Sequence, residues 1–514
     1  MAERFSYYGM RALFVLYLVA AFFNGGVASE IYGSFTGLVY LTPLIGGYVS
    51  DRYWGNRKSI IVGGVLMAFG QFLLFASACA VHQSIFSENG PIDPSVDNTL
   101  SIMLLVAGMV FLIVGNGFFK PNISTMVGDL YAKDDTRQDA AFTIFYMGIN
   151  IGALFSPILC GLFGTGDWTN PAGFKWGFFC SGCGMLASLL VFSLLKSKYL
   201  ITPDGVQLGM KPIKDVAANT AASELQGNES ASKSLASWRL AIHAVLFFVL
   251  LYFFMGDGTD FNGIISAMIY ACSIVLPIFI ITDPQLSKVD KMRIGVIYII
   301  AVFVIFFWSA FEQAGSSLTL FADKQCDRHI GTWEMPTAWF QSVNPICVVV
   351  FAPIMATLWE TLAKHKFEPS SPAKQALGLL LLAIGYIMIS SVTAELEASE
   401  KVSMWWLVIL YFIMTLGELS LSPIGLSMVT KLAPAHLASL LMGVWFMSNA
   451  ASNIAAGSLA TLLPQTGEPA KDFLGYQIEN LSDFFLLFAA MAFVAAVALF
   501  ALTPLVRKMS KGVL

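Results

Sequence analysis

Apolar residues in this chain fall into long runs that short polar segments separate. Runs of about 20 mainly apolar residues are long enough to cross a bilayer as helices. Twelve such runs cover residues 4–24, 31–50, 58–81, 99–120, 138–163, 174–195, 294–320, 335–360, 374–394, 403–430, 434–462 and 480–505. Two more, near 236–255 and 263–282, lie between the sixth and the seventh. The pattern predicts an all-α polytopic membrane protein with 14 transmembrane helices, in the order six, two, six.

A polar segment at 197–235, rich in Ala, Ser, Asn, Glu and Lys, is the one plausible linker. We therefore predict an N-terminal six-helix bundle over 1–196, a linker with an inserted helix pair over 197–293, and a C-terminal six-helix bundle over 294–514. Two such halves around a site near the midplane are typical of transporters. For the inserted pair, a peripheral scaffold is favoured over a part of the pathway.

The distribution of basic residues orients these helices. The chain is 57% hydrophobic and 12% charged, whereas soluble proteins carry about 25% charged residues. The loops at 25–30, 82–98, 164–173 and 256–262 contain no Lys or Arg, while the alternate loops hold most of them. The positive-inside rule then places the protein in the cell (inner or plasma) membrane with both termini on the cytoplasmic side. The net charge of −4 gives no indication of nucleic-acid binding.

The first predicted helix carries three charges. On a helix, Glu3, Tyr7 and Arg11 share a face, and Arg4 flanks them. A charge at the bilayer centre costs about 2.5–3.5 kcal/mol on insertion scales, so these groups need a polar cavity or ionic partners. This stripe indicates one wall of a transport pathway.

Three more charges, Lys120, Glu312 and Glu418, lie well inside apolar spans. Snorkelling toward the interface is an alternative for the lysine, and a static buried ion pair is an alternative for either glutamate. With the charges of the first helix they make a balanced set of acids and bases across both halves. Such a set favours a pathway over unrelated packing devices.

The loop between the second and third spans contains a regular motif. It resembles the GxxxDRxGRR loop of major facilitator transporters and comprises Gly47, Asp51, Arg52, Gly55 and Arg57. The glycines allow a tight turn, the basic residues hold to the cytoplasmic face, and Asp51 is placed to accept bonds from a neighbouring helix N-terminus. An ordinary positive-inside loop would explain the basic residues alone.

No cluster of catalytic or metal-binding residues appears in the sequence. The five histidines are scattered, and there is no HExxH or comparable motif. The seven cysteines are expected to be free packing thiols. We therefore predict neither an enzyme nor a metal site. A receptor or structural membrane protein would leave the deep charges unexplained.

Several motifs together resemble the proton-dependent oligopeptide transporter family of the major facilitator superfamily. The first helix is similar to the family's ExxERFxYYG, and residues 115–129 to its GxGxxKP…GD. Residues 145–154, 307–320 and 417–434 also follow the family pattern. The family's first glutamate would fall three residues before Glu3, at position zero. We therefore expect the sequence to begin inside the first helix of a longer protein.

The resemblance implies a proton-coupled symporter that imports di- and tripeptides by alternating access and functions as a monomer. Protons are the coupling ion, with no other cofactor. The alternative is the same fold carrying another small solute, such as nitrate or a peptide-like compound. Glu418 distinguishes these possibilities, because an acid that binds an amine has no purpose for nitrate.

The resemblance also implies roles for individual residues. Proton coupling and gating fall to Glu3, Arg4, Arg11, Lys120, Glu312 and Glu418. Peptide binding falls to Tyr7, Tyr8, Arg11, Tyr40, Lys120, Asn150, Trp308, Asn344, Glu418 and Trp445. Two gates are expected, Arg11 with Glu312 toward the outside and Lys120 with Glu418 toward the cytoplasm.

Overall fold

The fold is built almost entirely of long helices. The computed structural model describes residues 1–81, 86–87, 90–91, 97–131, 137–201, 207–211, 229–256, 261–394, 396, 400–434, 437–465 and 469–510. The α-helices, numbered in chain order, are α1 (Ala2–Ala21), α2 (Gly25–Val49), α3 (Asn56–Ala80), α4 (Thr99–Asp129), α5 (Arg137–Phe163), α6 (Lys175–Tyr199), α7 (Glu229–Met255), α8 (Phe261–Ile281), α9 (Lys288–Phe311), α10 (Ser317–Lys324), α11 (Val343–Lys364), α12 (Ser371–Thr393), α13 (Met404–Leu432), α14 (Ala438–Ala460) and α15 (Leu481–Ser510). The strands are short pairs in the connecting loops: Phe86–Ser87 with Gly90–Pro91, Cys326–Asp327 with Val402–Ser403, His329–Ile330 with Trp333–Glu334, and Lys471–Phe473 with Tyr476–Ile478.

The predicted all-α membrane fold with 14 helices is confirmed. Helices α9 and α10 form one span, Lys288–Lys324, across a 3-10 turn at Glu312–Gly315. By length and apolar composition, 11 helices in the described part of the chain are able to cross a membrane. Helix α1, with its three charges, is not among them.

The helix boundaries near Lys120 and at the two ends of the predicted linker differ from the hydropathy prediction. Helix α4 continues past Lys120 and Pro121 to Asp129, so the lysine lies inside a helix and not at its end. Polar side chains end the apolar run there but bond within the helix: Asn122 Nδ2 donates to the Phe118 carbonyl at 2.6 Å. Helix α6 runs to Tyr199 and α7 begins at Glu229, so both ends of the predicted linker are helical. Most of the remaining linker lies outside the described residues, and the three-part division of the chain stays a prediction.

The same glycine contact occurs within each of two sets of helices, α1–α6 and α9–α15, where α9 and α10 count as one span. A Cβ at Gly63 of α3 would lie 2.6 Å from the Gly115 carbonyl oxygen of α4. A Cβ at Gly378 of α12 would lie 2.7 Å from the Gly417 carbonyl oxygen of α13. Gly63 and Gly378 occupy the same position in their helices, counted from Asn56 and from Ser371. The two helix pairs therefore pack in the same way, with backbones in direct contact.

The two sets of helices meet at one end of the molecule, where α1 ends and α2 begins. There α2 crosses α14, and a Cβ at Gly33 would lie 2.8 Å from both Gly457 Cα and the Asn453 carbonyl oxygen. Helix α5 contacts the 3-10 helix Thr337–Ser342 through a bond from Trp339 Nε1 to the Ile158 carbonyl, 3.1 Å long. We call this the closed end. The opposite end holds the start of α1 and the end of α15.

The inserted helices α7 and α8 pack on the outside of this junction. Ile265 and Ile269 of α8 are buried against Ala450 and Ile454 of α14, with Leu38 of α2 packed beside them. Helix α7 contributes little to the interior, because most of its apolar side chains are exposed. The pair thus touches both sides of the junction between α2 and α14.

Candidate functional site

The centre of the candidate site is an ion pair that joins the two sets of helices. The Arg11 guanidinium on α1 binds the Glu312 carboxylate, and its Nε donates to the Tyr32 hydroxyl on α2. Both charged side chains are largely buried, with 12% and 4% of their surfaces exposed. Because each charge is desolvated, each depends on the other for its stability. This pair is the first of the two expected gate contacts, and it lies toward the closed end.

A break in a helix presents Glu312 to this site. Helix α9 ends at Phe311, and the 3-10 turn Glu312–Gly315 precedes α10. The turn fits against α2, because a Cβ at Gly315 would collide with the Tyr32 hydroxyl. A glycine is therefore required at the point where the broken helix and Tyr32 meet.

Lys120 on α4 faces Tyr40 on α2. Its Nζ stands 3.9 Å from the centroid of the Tyr40 ring, a cation–π contact. The structure, which describes both residues, records no ion pair between Lys120 and Glu418. The second expected gate contact is thus not made in this conformation and stays a prediction for another one.

Glu418 lies on α13 and is held by Asn344 of α11. Asn344 Nδ2 donates to Glu418 Oε2 at 2.8 Å and to Thr415 Oγ1 at 3.0 Å. Glu418 is thus an acid bound by a neutral amide, and it forms no ion pair with Arg11 or Lys120 in the part of the chain that the structure describes.

Glu3 and Arg4 form a second buried charged group at the start of α1. Arg4 Nε lies 3.2 Å from Glu3 Oε2, and the two side chains are 10% and 6% exposed. Glu3 Oε1 has no hydrogen-bond partner among the described residues. The stripe predicted on α1 is therefore buried along its length, with Tyr7 between the two charged groups.

The predicted aromatic and amide positions differ in their surroundings. Tyr7 and Tyr8 pack edge to face, with ring centroids 5.5 Å apart, and Trp308 packs on Phe311 at 5.0 Å. Trp445 is buried, 4% exposed. Asn150 Nδ2 donates to the Tyr146 carbonyl of its own helix at 3.0 Å. These assignments to peptide binding stay predictions.

Sequence reasoning missed two neutral residues at this site. Tyr32 binds Arg11, and Gln313 is fully buried beside Glu312. A search for charged residues inside apolar spans does not find uncharged polar side chains. A signal was present for Tyr32, since it lies with Thr36 and Tyr40 at four-residue spacing, a polar stripe on α2.

The loop motif lies at the opposite end from the closed one. Residues Ser50–Trp54 form a π-helical turn, and Gly55 has a positive φ of 74°. A Cβ at Gly55 would lie 2.5 Å from the Met210 carbonyl oxygen, so only glycine fits. Gly47 lies near Pro121, while Asp51 and Arg52 are exposed. Arg57 is buried against neighbouring segments of the protein, and its place at the cytoplasmic face stays a prediction.

Comparison with known proteins agrees with this architecture. A family model described as "POT family" matches residues 57–473. The peptide transporter YePEPT of Yersinia enterocolitica is 36% identical over 472 residues, which cover 89% of this chain and 84% of the relative. A di-/tripeptide transporter of Lactococcus lactis subsp. cremoris is 28% identical over 470 residues, 88% of this chain and 85% of the relative.

Solved structures cover nearly the whole chain. A mutant of the peptide transporter POT in complex with alafosfalin has a TM-score of 0.76 at 30% identity, over 99% of this chain and 94% of that one. A POT family transporter in complex with 5-aminolevulinic acid has a TM-score of 0.75 at 27% identity, over 98% of this chain and 94% of that one.

Proposed function

The chain belongs to the POT family, and from this premise we propose that it is a proton-coupled symporter that imports di- and tripeptides by alternating access. The names of its relatives support the substrate: one is a peptide transporter and another a di-/tripeptide transporter. Protons are the coupling ion in this proposal, and the protein works as a monomer in the cell membrane.

The observation that carries the proposal is the Arg11–Glu312 pair, which crosses between the two sets of helices at the closed end. Protonation of Glu312 removes the negative partner and frees Arg11. Each proton that moves inward contributes about 2.3 kcal/mol per 100 mV. That energy drives peptide uptake only if proton binding and peptide binding both shift the equilibrium between the same two conformations. A charge pair that holds one conformation closed provides such a link.

We propose that Arg11, Lys120 and Glu418 line a cavity with complementary charges for a zwitterionic peptide. Arg11 and Lys120 supply positive charge for the peptide carboxylate, and Glu418 supplies negative charge for its amine. Asn344, which already binds Glu418 at 2.8 Å, and Asn150 are the proposed amide partners. The ends of a peptide are common to all sequences, so a site that grips them accepts many side chains.

The orientation in the membrane is also proposed. Because basic residues concentrate in alternate loops, both termini lie in the cytoplasm. The closed end then faces the outside, and the cavity opens toward the cytoplasm. The absence of a Lys120–Glu418 ion pair between these two described residues supports this, since that contact is expected to close the cytoplasmic side.

The first test replaces the proposed proton site. We expect Glu312→Gln in proteoliposomes to keep some peptide exchange between the two sides but to lose accumulation driven by a pH gradient. Glu360→Gln, an exposed glutamate on α11, is the matched control and should accumulate peptide normally. Normal concentrative uptake by Glu312→Gln would refute its role.

A second test concerns the buried lysine. We expect Lys120→Ala to abolish proton-driven transport, because the cavity loses the positive charge that stands beside Tyr40. Lys58→Ala, which removes an exposed lysine, should transport like the wild type. Full uptake by Lys120→Ala would count against the proposed role.

A peptide-like compound is the second candidate substrate, because a POT family relative has been solved with 5-aminolevulinic acid. That molecule shares an amine and a carboxylate with a peptide. Counterflow with labelled di- and tripeptides, 5-aminolevulinic acid and nitrate, with and without a pH gradient, separates the possibilities. Peptide exchange stimulated by the gradient supports the proposal, and exchange of nitrate alone contradicts it.

A further inference from the structure

A buried glutamine holds the turn that carries Glu312. Gln313 has no exposed surface, and its carboxamide is satisfied by three bonds. Nε2 donates to the Ser309 carbonyl at 3.0 Å, in the last turn of α9. Oε1 accepts from Ser317 Oγ, at the first residue of α10. One side chain thus joins the two ends of the broken helix.

The same carboxamide also joins the turn to another helix. Gln313 Nε2 donates to the Ala456 carbonyl of α14 at 3.0 Å. The next residue, Gly457, is the point where α14 contacts Gly33 of α2 at the closed end. The Glu312 turn is therefore bonded to the part of α14 that closes against α2.

The side chains of Glu312 and Gln313 bind different helices. Glu312 reaches toward α1 and binds Arg11, whereas Gln313 reaches toward α14. A displacement of the turn when Arg11 is released would move the Ala456 carbonyl with it, because breaking the bond would leave buried polar atoms unpaired.

We propose that Gln313 is a positioning residue that makes the Glu312 turn and the closing segment of α14 move as one body. In this way a change in the charge of Glu312 affects the contact between α2 and α14. The inference rests on the proposed proton-coupled function. Coupling between two sites requires an element that both of them bias, and this bonded unit is such an element.

The test removes the carboxamide while keeping the size of the side chain. Gln313→Met, made alone and together with Glu312→Gln, is reconstituted and assayed for driven accumulation and for counterflow. Alone, it should lower accumulation about tenfold, a usual size for a coupling between sites, and leave most counterflow. In the Glu312→Gln background it should lower counterflow no further, because coupling is already lost.

Controls separate positioning from a general structural role. Gln375→Met replaces another fully buried glutamine, one whose amide has no partner among the described residues, and should accumulate peptide normally. Should Gln313→Met fail to fold, Ser317→Ala removes only the bond to Gln313 Oε1 and should reduce accumulation in the same direction, by less.

Two results would overturn the inference. One is wild-type accumulation by folded Gln313→Met or, where that variant fails to fold, by Ser317→Ala. The other is an equal loss of counterflow with and without Glu312→Gln, which indicates a purely structural role. Failure of the wild-type protein itself to accumulate peptide under a pH gradient contradicts the proposed function, and the inference falls with it.

Discussion

Arg57 is a buried cation that completes the end of another helix. It is 7% exposed, and it donates to the carbonyls of Lys196 at 3.1 Å and Leu200 at 2.6 Å and to Gln207 Oε1 at 2.8 Å. Both carbonyls lie at the C-terminal end of α6, where a positive charge is stabilising. Arg57 therefore ties the turn after α2 to the end of α6.

We expect Arg57→Ala to lower the free energy of unfolding by about 2–4 kcal/mol, since it removes three hydrogen bonds donated by a buried charged group. Thermal unfolding in detergent measures the effect. Lys58→Ala is the matched control, because the neighbouring lysine is exposed and should give a nearly unchanged melting temperature. Equal melting temperatures for both variants would contradict the tying role.

The contrast between Arg11 and Arg57 shows what the sequence predicts at this scale. The stripe containing Arg11 follows from helical periodicity, which needs only local sequence. The environment of Arg57 depends on segments that lie 139 to 150 residues away. Its partners are mostly main-chain carbonyls, which leave no signal in the sequence. The sequence therefore predicts a basic loop residue at position 57 but not its hydrogen-bond partners.

At the scale of elements, glycines set how closely the helices approach. The contacts of Gly63 with Gly115 and of Gly378 with Gly417 place carbonyl oxygens where a Cβ would stand. Hydropathy predicts that these four helices exist but says nothing about their separation. The spans were predictable because burial in lipid depends on residue type, which the sequence shows. Their packing was not predictable, because helix contact depends on the shapes of the surfaces that meet.

We expect Gly63→Ala to destabilise the protein, because its Cβ would lie 2.6 Å from a carbonyl oxygen and force α3 away from α4. Gly148→Ala on α5 is the matched control, since nothing lies within 4 Å of its Cβ. Its helix should gain up to about 1 kcal/mol from the better propensity of alanine. The melting temperature of Gly63→Ala should fall below that of the wild type, and an unchanged value would show that the helices separate without cost.

At the scale of the whole molecule, two seams between the two sets of helices meet at the closed end. The seam between α2 and α14 is covered by α8, and the seam between α5 and residues 337–342 is bonded through Trp339 and Ser342. If alternating access operates, both seams must open in the other conformation. Helix α8 must then lose its contact with α2 or with α14, which gives the inserted pair an influence on the conformational equilibrium.

A cross-link at the second seam tests this directly. A Cβ at Gly161 of α5 would lie 2.8 Å from Ala338 Cβ, so a small separation brings the pair Gly161→Cys and Ala338→Cys to the roughly 3.8 Å that a disulfide needs. We expect the oxidised double variant to lose peptide exchange and a thiol reductant to restore it. Each single variant, treated with the same oxidant, should exchange normally, because its one added thiol has no engineered partner. Since a disulfide between these positions permits no opening of the seam, full exchange by the cross-linked protein would mean that the closed end stays closed throughout the cycle.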